Sequence, residues 1–339
     1  MKRNAIKLIS AAVFALFFAV AFTACGNDPV TPDNPINKKG HEDPTKMVIE
    51  LYECHMHADW NKIDVEGGAH QDPETKAKYL KKVQEIAFEN KEGKGWGYAD
   101  GSQKSFYVRQ SANYYTGSNF TPAPVYLLFI KYYDKKGQLM NNQFIEGGQD
   151  RLHQHYFTTS NATELMTGAA LADGTQTTNY IDYKYTDTTP WNKTHHSGEA
   201  KITGRSNPIG LKGAIRFLKN RVKFDLRIQL WHAFKGKKDP AASDHDPFYK
   251  RSAFSQAFGT SDINVTVPIV VYASREEYID GLESSTDVSK VPENSYDAAG
   301  NALIQAIMKA FNLTWTEALT DYQKFIWDDS DGESGHVWL

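Results

Sequence analysis

The chain has 339 residues, 40% apolar and 23% charged, with 38 basic against 41 acidic side chains and a formal net charge of −3. That length holds one large β architecture or two ordinary domains. With no basic excess to neutralise phosphates a nucleic-acid partner is not expected, and two cysteines cannot build a disulfide scaffold. The aromatic content, 18 Tyr, 18 Phe and 7 Trp, leans towards strands over helices.

Residues 1–24 read as an export signal. Lys2, Arg3 and Lys7 supply the basic start, and the apolar run over 9–22 is shorter than the ~20 residues a membrane-spanning helix needs. Phe22, Thr23 and Ala24 then lead into Cys25. This tetrapeptide resembles the lipobox of bacterial lipoproteins, which implies that Cys25 is acylated and becomes the mature N-terminus. Residues 25–46 carry Pro29, Pro32, Pro35 and Pro44 among Gly, Asn, Asp and Lys, a composition expected to form a solvated tether. Anchor, tether and acidic body together are similar to the exported lipoproteins of Bacteroides-type bacteria. The resemblance implies a cell-envelope location, at the outer membrane or cell surface, with the membrane as a partner through the lipid.

Strand patterns dominate the next 230 residues. The run 47–60 alternates, and 73–90 fits either a helix or a strand. Residues 124–133 form a long aromatic and β-branched run; the turn signal Asp134-Lys135-Lys136-Gly137 and the apolar 143–145 after it predict a hairpin. Further strands are expected over 151–159, 180–186, 221–234 and 262–273. Strict alternation from Val222 to Leu230 favours antiparallel sheets with one covered face. The period then changes. Leu303, Ile304, Ile307 and Phe311 make a helical stripe, and Thr314 and Glu317 have capping-box spacing before a second stripe of Trp315, Ala318, Leu319, Tyr322 and Ile326. The predicted fold is mainly β: one or two antiparallel β-sandwich-like units, over 47–165 and 166–290, followed by a helical hairpin within 291–339.

The histidines carry the chemical signal. Glu53, His55, His57 and Asp59 alternate with Cys54, Met56, Ala58 and Trp60, so a strand would set carboxylates and imidazoles on one face and turn Cys54 to the other. His153 and His155 repeat the His-x-His spacing. With 11 histidines in the chain, chance supplies about 0.35 such pairs, against two present. If the two strands are neighbours, His55, His57, His153 and His155 converge on one transition-metal ion, Zn, Cu or Fe. Glu53, Asp59 and His70 are then additional ligands or groups that orient the rings, with His195, His196 and His232 as further candidates.

No phosphate-binding loop, nucleophile elbow, His-Glu-x-x-His or Cys-x-x-Cys motif occurs. The expected function is therefore binding rather than catalysis: a lipid-anchored protein holding a transition metal or a metal-bearing ligand such as haem. In this the body resembles His-rich lipoproteins accessory to nutrient uptake, which implies an outer-membrane receptor as partner. Two alternatives stand beside it. One is a glycan-binding or adhesive surface lipoprotein using rings such as Trp96, Tyr98, Tyr114, Tyr115 or Trp191. The other is a metal-dependent hydrolase or oxygenase built on His57, Asp59 and His153 or His155.

Overall fold

Period-two alternation becomes a β-sandwich in the computed structural model, which describes residues 39–327 and 335–339. The expected export signal, Cys25 and the tether as far as residue 38 lie outside the described residues. In chain order the strands are β1 (Lys46–Met56), β2 (Ala69–Gln71), β3 (Val83–Lys91), β4 (Gly95–Tyr98), β5 (Phe106–Gln110), β6 (Tyr115–Thr116), β7 (Asn119–Phe120) and β8 (Val125–Tyr133). After them come β9 (His153–Glu164), β10 (Ile181–Tyr185), β11 (Thr188–Thr189), β12 (Lys201–Ile202), β13 (Lys212–Phe217), β14 (Val222–Ala233) and β15 (Gly259–Ser274). Four α-helices are described: α1 (Ile63–Glu66), α2 (Ala253–Ala257), α3 (Ala298–Phe311) and α4 (Trp315–Trp327).

One sheet runs β10-β13-β8-β1-β3-β4, with β2 on the end of β1; the other runs β5-β15-β14-β9. All pairs in these two sheets are antiparallel except β5 with β15. Their inner faces share one core, where Ile49, Leu128 and Ile215 of the first sheet meet Phe157, Leu226 and Val267 of the second. Along β14 the strict alternation survives as Val222, Phe224, Leu226, Ile228 and Leu230, all buried. Burying five such side chains contributes roughly 1.5–3 kcal/mol each before chain entropy is set against it.

The opposite face of β15 presents Val270 and Tyr272 to the apolar stripes of α3 and α4. The expected capping box opens α4: Thr314 N–H donates to Glu317 Oε2 at 2.9 Å, and Glu317 N–H returns to Thr314 Oγ1 at 3.4 Å. The helical hairpin is thus present and lies outside the sandwich core.

Three expectations change. The hairpin partner over 143–145 is instead a 3-10 turn, Asn141–Phe144. The turn itself forms, with Leu139 bridging Tyr133 and Met140 N–H donating to Tyr132 O at 2.9 Å, but the pairing stops there because Ile130 N–H is taken by Leu211 O and β13 covers that edge from Phe129 to Tyr126. The boundary at 165/166 runs through shared sheets, since each takes strands from both sides of it, and Gly40–Leu339 is one compact unit. Residues 40–46, assigned to the tether, belong to that unit: Thr45 N–H donates to Tyr133 O at 2.9 Å and Glu42 N–H to Gln143 Oε1 at 2.8 Å.

One buried carboxylate organises the approach to β13. Asp187 accepts the backbone N–H groups of Ile209, Gly210, Leu211 and Lys212 at 2.7–3.1 Å. This fixes the Ile209 carbonyl, which takes both the His155 backbone N–H and its Nδ1–H. Gly210 has φ +88°, and a Cβ there would lie 2.9 Å from the His155 Cβ, so both conformation and space require glycine. Asp187→Ala strands four buried donors, at about 1 kcal/mol or more each. The melting temperature should fall by about 6 °C or more, and Asp187→Asn, which keeps one acceptor, should fall less; equal, small shifts in a thermal melt would contradict this account.

Candidate metal centres

The β14–β9 register sets His232 directly opposite His153. Both continue the apolar faces of their strands, His232 after Leu230 and His153 ahead of His155 and Phe157, so the imidazoles enter the sandwich from one end. The third group depends on an irregularity. Leu230 faces Ile263 while Trp231 faces Ser261, which makes Asp262 an extra residue in β15. In a regular ladder Ile263 on the core face would turn Asp262 outward; the bulge aims its carboxylate inward, beside His232. The fourth group, His41, comes from the segment ahead of β1, its ring 4.6 Å from that of Phe144.

Four atoms of these side chains surround one point. His153 Nε2 lies 3.2 Å from His41 Nε2 and 3.1 Å from His232 Nδ1, and the last two are 3.3 Å apart. Asp262 Oδ2 is 3.2, 3.3 and 3.6 Å from His41, His232 and His153 respectively. Six edges of 3.1–3.6 Å make a nearly regular tetrahedron whose centre is about 2.0 Å from every corner, the distance at which zinc binds imidazole nitrogen and carboxylate oxygen. The side chains of His41 and His153 are 0% exposed and that of Asp262 is 1% exposed, so the centre is closed to solvent on these sides.

The rings are set in the ligand tautomer. His41 Nδ1–H donates to Glu42 O and His153 Nδ1–H to Gln149 O, both at 2.9 Å. A carbonyl only accepts, so each Nδ1 carries the proton and, in the neutral ring, each Nε2 presents a lone pair. Burial, opposed by the Asp262 carboxylate and aided by the neighbouring histidines, holds His153 below its ordinary pKa. Two bare nitrogens at 3.2 Å repel one another in a dry site unless a cation stands between them.

A second cluster lies at the other end of β1. His55 is opposite His70 in the β1–β2 pair, and His57 follows the end of β1. One nitrogen from each ring lies within 4.8 Å of the others, and His55 Nε2 is 2.9 Å from His57 Nε2. His55 Nδ1–H donates to Asp72 Oδ1 at 2.6 Å, and His70 Nε2–H donates to Gly335 O at 3.1 Å. The Trp338 indole stacks against His70 at 4.3 Å and His57 at 5.2 Å, with His196 against it at 3.6 Å.

The two His-x-His pairs therefore do not meet. β1 and β9 belong to different sheets. His41 packs on Phe144, which packs on Tyr132, the partner of Met47; from Met47 to His55 the strand rises about 25 Å. His155 joins neither cluster. Its Nδ1–H donates to Ile209 O at 2.8 Å and its Nε2 accepts from the Tyr132 hydroxyl at 2.6 Å, so both nitrogens are spent; burial lowers its pKa to about 3. Glu53 is drawn away by the Arg109 guanidinium and by Tyr126 Oη at 3.0 Å. Asp59 caps the turn after β1 through Asn61 N–H at 2.9 Å. His70, the further candidate, does join His55 and His57. Cys54 is buried in the core as expected, and burial pushes its thiol well up, away from thiolate chemistry.

Residue patterning left His41 and Asp262 unread. His41 sits among polar residues without periodicity, and Asp262 is placed by a bulge that alternation does not announce. His232 did carry a signal: it is the polar residue that continues an otherwise apolar strand face. No protein-family model matches the chain, nor does any curated protein or solved structure. What the clusters can do follows from their own chemistry: several His and Asp groups stand close enough to hold a metal ion.

The placement separates two histidines that share a strand. His153→Gln should abolish one bound zinc ion in equilibrium dialysis, whereas His155→Gln should leave the ion count unchanged and lower only the melting temperature. Loss of an ion in His155→Gln would contradict the assignment.

Proposed function

We propose that this chain is a metal-binding protein of the bacterial cell envelope. It holds one divalent transition-metal ion, zinc in the first place, between His41, His153, His232 and Asp262. The single observation that carries the reading is the near-regular tetrahedron of three nitrogens and one oxygen around a point about 2.0 Å from each. Borderline imidazole donors with one carboxylate favour zinc over calcium or magnesium, and a tetrahedral cage disfavours copper(II), which prefers a tetragonal one. A porphyrin does not fit between four donor atoms 3.1–3.6 Å apart, so the ligand is a bare ion and not haem. Four protein ligands in a dry pocket hold an ion; they leave no position for a substrate, which favours binding over catalysis.

Anchoring through Cys25 and a part in nutrient uptake beside an outer-membrane receptor complete the proposal. Their support is the lipobox-like tetrapeptide and its resemblance to exported lipoproteins. Metabolic labelling of the full chain with a radioactive fatty acid should mark the protein and spare Cys25→Ser; equal labelling of both would remove the anchor.

Zinc titration of the metal-free protein against a chromophoric chelator tests the centre. Filling it to about 1,000 times Kd stabilises the folded state by ~4 kcal/mol, and the melting temperature should rise accordingly. His153→Ala and His232→Ala should each weaken binding at this centre by roughly 100-fold or more, as removal of a direct ligand exceeds the 10–100-fold loss typical for its hydrogen-bond partner. Affinity unchanged in both variants would overturn the reading.

A further inference from the structure

We infer that His55, His57 and His70 form a second transition-metal site, exchangeable where the first is closed. It is built from different residues, at the opposite end of β1, and stands whether or not the tetrahedral centre is correctly assigned.

Three observations support it. The first is tautomer control. Asp72 takes the Nδ1–H of His55, so its Nε2 is the donor atom, pointed at His57; the Gly335 carbonyl takes the Nε2–H of His70, so Nδ1 is its donor atom. A carboxylate behind one ring and a carbonyl behind another is the support that metal-binding histidines ordinarily have, and it raises the basicity of the coordinating nitrogen. The second is register. His55 and His70 face each other across a strand pair, and β2 is locked on its other side by Leu339 N–H to Ala69 O at 2.9 Å and Gln71 N–H to Val337 O at 2.8 Å. Two of the three ligands thus sit on rigid backbone, while the exposed His57 lies just past the strand end and can turn its ring to complete the set. The third is access. His55 and Asp72 line a cavity of about 410 Å³ together with Lys82, Arg109 and Arg275, and the His55 side chain is 31% exposed.

The donor set decides the class of ion. Three imidazoles without thiolate suit zinc, copper(II) or nickel(II) and not calcium or magnesium. Cys54, though adjacent in sequence, is fully buried with its thiol on the Tyr52 carbonyl at 3.3 Å and does not belong to the three-histidine group. The site differs from the first in lability: His57 is exposed and His55 half-exposed while His70 is buried behind them, so the ion enters and leaves past two of its three rings without opening the sandwich.

Full-length protein dialysed against zinc should bind two ions per chain. A brief EDTA chase should remove one at once and the other slowly. His57→Ala, at an exposed position that does not threaten folding, should lose only the fast ion, and His232→Ala only the slow one. Asp72→Asn, which alters a positioning residue, should weaken the fast site about tenfold and leave the slow ion untouched. Copper(II) added to His232→Ala should quench tryptophan fluorescence, because the Trp338 ring stacks on two of the three ligands; most of that quenching should vanish in Trp338→Phe while the ion still binds. A fast ion that persists with unchanged affinity in His57→Ala overturns the inference, as does wild-type protein that binds only the slow ion. Loss of the slow ion alone from wild type would count against the tetrahedral centre and not against this one.

Discussion

The register of three neighbouring strands governs the buried centre. β9, β14 and β15 place His153, His232 and Asp262 at the same level of one sheet face, and a single extra residue in β15 brings the carboxylate round to that face. Remove the bulge and the acid points away; shift β9 by one residue and His153 leaves with its whole apolar row. The same row carries Phe157, packed against Tyr183 at 4.2 Å, so a misregister would also break the core. Core packing thereby enforces ligand geometry, and the histidines need no separate device to hold them in line.

His41 closes that centre from outside the sheet. It stands on a segment held by a few hydrogen bonds to β8 and the turn that follows it. A bound ion would add the strongest contact this segment makes, tying the part of the chain nearest the N-terminal side of the body to the sandwich. The metal would then contribute to folding as well as being its cargo.

The two sheets explain why the histidine clusters remain apart. β1 is an interior strand of one sheet and β9 an edge strand of the other, and β1 is long enough to separate its ends by about 25 Å. One cluster is closed in the sandwich and has four donors; the other is half-exposed at the rim and has three. Four donors make a closed set, whereas three leave a coordination position open.

Much of this was legible beforehand. The mainly β class, the strands read at 47–60, 124–133, 151–159, 180–186, 221–234 and 262–273, each of which overlaps an observed strand, the capped helical hairpin and the burial of Cys54 all follow from patterns within ten or twenty residues. So does the pairing of His55 with His57, because alternation along one strand is a local property. Neighbours across sheets are not. Which strand lies beside which depends on the packing of all the apolar faces at once, and on that turned the separation of the two His-x-His pairs, the diversion of His155 to Tyr132 and of Glu53 to Arg109, and the entry of His70. Asp262 required a one-residue bulge and His41 a segment with no period at all. Local periodicity determined what each strand is; only the tertiary arrangement decided which donors share a centre, since metal coordination is a matter of ångströms between residues, such as His41 and Asp262, that the chain keeps more than two hundred positions apart.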